Sequence, residues 1–143
     1  MRKSNYDKYP STSVNGSLWE GWDAILNQIK LDLSLQNGRH VLVVECYQGV
    51  HHKELLEQLA LLPVDERVDT RDLFRAEAEI EEMTRPFLTD DRLFGRRSSF
   101  SYADFLDNSK VEAFRRRLKQ LQGVVLVYGH GAAWVADQPD TLV

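Results

Sequence analysis

Val41-Leu42-Val43-Val44-Glu45-Cys46-Tyr47, then Gln48-Gly49-Val50-His51-His52, then Lys53-Glu54-Leu55-Leu56-Glu57-Gln58-Leu59-Ala60-Leu61-Leu62, is the stretch that decides the fold. An unbroken, valine-rich apolar run without alternation reads as a strand buried on both faces, and the leucines after it recur at helical spacing. Strand, short loop and helix in this order open an open α/β sheet. Ligands of such sheets bind at the carboxyl ends of the strands, where loop and helix N–H groups favour anions. The first candidate site is therefore Gln48 to Lys53.

A second stretch repeats the pattern. Val124-Val125-Leu126-Val127-Tyr128 is another fully apolar run, followed by Gly129-His130-Gly131-Ala132-Ala133. If the two strands are parallel neighbours, Gly49 to Lys53 and Gly129 to Gly131 share one rim of the sheet.

The rest of the chain supplies helices. Ser17-Leu18-Trp19-Glu20 matches a capping box, which predicts a helix starting there with Leu18, Trp22, Ile25, Leu26, Ile29 and Leu33 on its apolar stripe. Glu66 to Thr70 fits a short second strand. Asp69 or Thr70 then caps a helix with Leu73, Ala76, Ile80 and Met83 inward, ended by Arg85-Pro86. Thr89 to Arg97 is charged and aperiodic and reads as a functional loop or lid. Ser109-Lys110-Val111-Glu112 is a second capping box, opening a helix with Val111, Phe114, Leu118 and Leu121 buried, and Gly123 is expected as its left-handed cap.

With 143 residues, 43% of them hydrophobic, the chain suffices for one globular domain and is short for two. Residues 1–16 read as an extended N-terminal arm and 17–143 as a single α/β domain. The apolar end, Asp140-Thr141-Leu142-Val143, is what a domain incomplete at its C-terminus would show. A net charge of -4 disfavours nucleic acid as a partner, since phosphate neutralisation needs excess lysine and arginine. No apolar run approaches a membrane span, and Met1-Arg-Lys-Ser leads into polar residues rather than a signal core, so a cytoplasmic location is expected. The single cysteine, Cys46, suits a reducing compartment.

A nucleotide-binding P-loop needs glycines for close backbone approach, a lysine for the terminal phosphates and a hydroxyl for magnesium. With Lys53 at the lysine position, Tyr47 and His52 stand where glycines belong, and Glu54 stands where the hydroxyl belongs. That pattern predicts anion binding without ATP hydrolysis, by Gly49, His52 and Lys53. A purely structural turn with Lys53 in solvent is the plain alternative. Arg92 and Arg96 are candidate phosphate contacts from the lid, against ordinary surface ion pairs with Asp90 and Asp91. Cys46 stands at a strand end like a phosphatase nucleophile, but His52-Lys53 replaces the arginine that this chemistry needs. His51, His52 and His130 with Glu45 or Asp90 could form a metal site, yet adjacent histidines point apart, and no metal is assigned.

Four blocks carry a family resemblance: Ser4 to Pro10, Val44-Glu45-Cys46-Tyr47 with Gly49-Val50, Thr89 to Gly95, and Val127 to Ala132. In this order they resemble the amino-terminal region of long-form bacterial class I mannose-6-phosphate isomerases. The resemblance implies a three-layer, mostly parallel P-loop-type domain, similar to uridine kinases, that precedes a cupin isomerase domain. It implies too that zinc and the interconversion of mannose 6-phosphate and fructose 6-phosphate belong to that cupin, which is absent from this chain. No catalytic residue is carried over. The expected partners are a phosphorylated small molecule and the cupin domain, in cis or in trans. An active nucleoside or sugar kinase, with nucleotide-magnesium as cofactor and Asp69 or Asp90 as base or metal ligand, stays open. So does a non-catalytic interaction module.

Overall fold

The computed structural model describes residues 9–13, 15–91 and 93–143. The arm expected over residues 1–16 lies largely outside the described residues, and residues 9–13, 15 and 16 form no helix or strand.

The two apolar runs are strands β1 (His40–Glu45) and β3 (Val124–Gly129). They pair in parallel from His40 against Val124 to Glu45 against Gly129. Strand β2 (Glu66–Asp69) lies parallel on the outer side of β3, and β4 (Thr141–Leu142) lies parallel on the outer side of β1. The result is a four-stranded, all-parallel sheet in the order β2-β3-β1-β4.

Alternation along β1 sorts the core into two layers. Val41 and Val43, with Val125 and Val127, pack against helices α4 (Asn108–Leu118) and α5 (Ala132–Ala136) through Val111, Phe114, Leu118 and Val135. Leu42, Val44 and Leu126 face the other way, onto α1 (Trp22–Ser34) and α2 (His52–Leu59) through Leu26, Ile29, Leu33, Leu55 and Leu59. The central strand residues Val41, Leu42, Val43, Val125, Leu126 and Val127 are fully buried. Each such side chain contributes about 1.5–3 kcal/mol by leaving water, which explains the absence of polar alternation.

Several local expectations are corrected. The Ser17 capping box is not used: α1 begins at Trp22 with Gly21 as its N-cap at φ 80. A right-handed helix cannot run through that backbone conformation, so the box lies on the wrong side of Gly21, and Leu18 is exposed. At the second box Asp107, not Ser109, is the cap, accepting from the N–H groups of Ser109 and Lys110. Gly123 has a positive φ but stands beyond the end of α4, which Lys119 caps. Asp69 caps a short 3-10 turn, Thr70–Leu73, and the helix α3 (Glu77–Thr84) begins only after it. Ala76 is exposed, and Ile80 and Met83 are half-buried, so α3 lies on the surface. No helix among the described residues is long and apolar enough to cross a membrane.

Candidate functional site

Adjacent parallel strands β1 and β3 hand the chain to opposite faces of the sheet. After β1 it enters α2, in the layer with α1; after β3 it enters α5, in the layer with α4. A crevice therefore opens between their carboxyl ends, the topological switch point where open α/β sheets bind ligands.

The two turns at this rim are built differently. After β3, Gly131 takes a left-handed backbone (φ 70), and the Glu45 carboxylate caps α5, accepting from the N–H groups of Gly131 at 2.6 Å and Ala133 at 2.8 Å. The His130 ring meets the Cys46 carbonyl through Nδ1 at 2.8 Å, and the Tyr102 hydroxyl donates to the His130 carbonyl. Burial, reinforced by the nearby Glu45 charge, pushes the Tyr102 hydroxyl well above the usual phenol range. A Cβ on Gly131 would collide with the Tyr102 ring.

After β1 the turn is open. Gly49 has φ 100 with nothing among the described residues within 4 Å of where a Cβ would stand, and no described side chain caps α2 at His51. His52 packs its ring against Tyr128, with centroids 6.4 Å apart, and its Nε2 lies 3.7 Å from Asp69. That nitrogen is buried and has no hydrogen-bond partner among the described residues. Lys53 is 93% exposed and stands 3.9 Å from Glu57. Glu54 accepts a 2.7 Å hydrogen bond from the Trp22 indole.

Of the predicted phosphate contacts, Gly49, His52 and Lys53 share this turn. Arg96 is exposed elsewhere, its N–H donating to the Phe87 carbonyl at 2.7 Å. Arg92 lies outside the described residues. Asp69 is held by the Arg71 guanidinium at 2.9 and 2.6 Å. Burial alone would raise its pKa, but the hydrogen bonds and charge of Arg71, with His52 behind them, hold it below the usual carboxylate range. Cys46 is buried and its thiol is pushed up chiefly by that burial, the reverse of what an attacking thiolate needs. No group of three or more His, Cys, Asp or Glu among the described residues is placed to hold a metal.

Sequence reasoning missed the walls of the crevice. In the sequence Glu45 reads only as a possible metal ligand and not as a cap, and nothing in the local pattern marks Tyr102 or Trp134. Arg115 of α4 holds the Trp134 wall: its guanidinium lies 4.8 Å over the Trp134 ring and donates to the carbonyls of Trp134 and Val135.

A family model described as Domain of unknown function (DUF8485) matches residues 21–143, from the N-cap of α1 to the end of the chain. The chain belongs to that family. No curated protein and no solved structure matches it. The matched residues hold all the helices and strands described above, so the family is defined over the same α/β unit that carries the rim.

Proposed function

We propose that this chain is a P-loop-like ligand-binding domain that holds a phosphorylated small molecule at the carboxyl rim of its sheet without turning it over. The observation that carries this reading is the switch point: β1 and β3 are parallel neighbours whose following helices lie on opposite faces. The phosphate is assigned to the open turn, where Gly49 leaves the backbone accessible and His52 and Lys53 supply donors.

The departures from a nucleotide-hydrolysing loop favour binding over catalysis. Glu54 stands at the position of the magnesium-binding hydroxyl and is engaged by Trp22, and Lys53 extends into solvent beside Glu57. In the cell this would be a cytoplasmic domain that packs on and regulates the isomerase domain of a mannose-6-phosphate isomerase, the family suggested by the four sequence blocks. Leu88, Leu93 and Phe94, exposed together on one loop tied by the Thr89 hydroxyl to the Phe94 carbonyl, suit such a partner.

Calorimetric titration of the chain with inorganic phosphate, mannose 6-phosphate and ATP-magnesium tests the proposal. Heat is expected with the phosphate probes and is expected to vanish in His52→Ala and Lys53→Ala, with no ATP consumed. A folded native chain that gives no heat with any probe overturns it. Steady ATP turnover would instead favour the kinase reading, with Asp69 beside His52 as the acting base.

A further inference from the structure

We infer that the crevice between β1 and β3 is a stacking pocket for an uncharged, planar nitrogen heterocycle of the nucleobase type, the ring portion of the ligand whose phosphate lies on the neighbouring turn. The position of that phosphate rests on the preceding reading; the ring site rests on the crevice itself.

The cavity measures about 760 Å³, within the range of small-molecule pockets, and its walls are mainly rings: Tyr47, Phe74, Tyr102, Phe105 and Trp134. Phe74 and Tyr102 meet edge to face with centroids 5.7 Å apart, which fixes the Tyr102 ring in place. Arg115 stacks on Trp134 and anchors the backbone beneath it, so that indole is held before any ligand arrives. Rigid aromatic faces at a rim bind flat π-systems with little ordering cost.

Charge decides against an anion inside the crevice. Among the described residues that line it the ionised side chain is a carboxylate, Glu45, and no described lysine or arginine joins it. Part of the hydrogen-bonding capacity of the lining is already used within the protein: Glu45 serves two N–H groups, the Tyr102 hydroxyl serves the His130 carbonyl and His130 Nδ1 serves Cys46. What remains is the second lone pair of each Glu45 oxygen, the Gln48 amide, the Tyr47 hydroxyl, the Trp134 indole N–H and His130 Nε2, donors and acceptors that can meet the edge of a base. Tyr47 and Gln48 line the crevice and lead directly into Gly49, so a base here and a phosphate on the turn belong to one molecule.

The test is calorimetry on the full chain with adenosine, cytidine, methyl mannoside and inorganic phosphate as separate probes. Adenosine or cytidine is expected to bind without any phosphate. Trp134→Ala, shown folded by circular dichroism, is expected to weaken that binding roughly tenfold or more, while Trp134→Phe keeps most of it. Lys53→Ala is expected to leave nucleoside binding unchanged. Absence of nucleoside binding to the folded chain, equal affinity in Trp134→Ala, or preference for methyl mannoside overturns the inference. Loss of phosphate binding alone would strike the phosphate site and leave the ring site standing.

Discussion

The turn after β3 and the turn after β1 occupy equivalent places on the sheet, yet one is filled by the protein itself and the other is not. Glu45 delivers a carboxylate to the N–H groups that open α5, while the first turn of α2 receives no side-chain cap. A helix start is an anion site by its geometry, and in this fold one of the two has already been given its anion. The comparison teaches that parallel sequence patterns need not mean parallel roles. The β3 turn is a structural joint that shapes the crevice; the β1 turn, which no described side chain caps, is where the proposal places the phosphate.

The contrast can be broken first at the glycines. Gly131→Ala forces a Cβ into the Tyr102 ring and strains a left-handed backbone, whereas Gly49→Ala pays only the backbone strain in open space. Loss of about 3 kcal/mol is expected for the first and about 1 kcal/mol for the second, read from urea unfolding midpoints. Equal losses would mean that the β3 turn is no more filled than its counterpart. Glu45→Ala comes next. It removes two charge-assisted hydrogen bonds from the α5 turn and is expected to destabilise by about 2 kcal/mol. A neutral result there would deny the carboxylate its capping role.

Much of this frame was legible in the sequence because it depends on local chemistry. Two valine-rich runs without alternation read as interior strands, and both pair as parallel neighbours at the centre of the sheet. The leucine spacing of α2 and the stripe of α4 from Val111 to Leu118 likewise follow from one helical period. What failed was what depends on neighbours. Ser17 carries the right capping chemistry, but Gly21 starts the helix elsewhere, and α3 has an apolar spacing none of whose residues becomes fully buried. The crevice was illegible for the same reason: Glu45 and Ala133 are 88 residues apart, and Tyr102 approaches His130 from a segment with no periodicity. The phosphate turn is proposed from residues adjacent in sequence, so the fold adds only that Gly49, His52 and Lys53 stand at the start of α2.

A third and smaller effect sharpens the comparison through acid. Arg71 and His52 hold the Asp69 carboxyl low in the folded chain. A depressed folded value means that this contribution is complete above the ordinary carboxylate range, about pH 4, and disappears as pH falls through the folded value beneath it. Asp69→Asn is therefore expected to flatten the acid limb of stability against pH, with no change of slope near neutrality. Some slope survives, because Ser101 and Ser109 also hold Asp104 and Asp107 low. An unchanged acid limb in thermal melts between pH 2 and 5 (a window of roughly one unit either side of the usual carboxylate range) would dissociate Asp69 from this corner of the rim.

The smallest effect on stability is expected where the largest effect on binding is proposed. Lys53 is 93% exposed and its ion pair with Glu57, at 3.9 Å on a helix surface, is open to water and salt. Pairs of this kind contribute at most about 0.5 kcal/mol, so Lys53→Ala should leave the unfolding midpoint nearly unmoved. A side chain that the fold does not use is free to serve a ligand. If Lys53→Ala removes phosphate binding without moving the midpoint, the β1 turn is the acceptor that the proposal makes it. If the midpoint falls as far as in Glu45→Ala, then Lys53 belongs to the scaffold after all, and the two turns differ less than their hydrogen bonds imply.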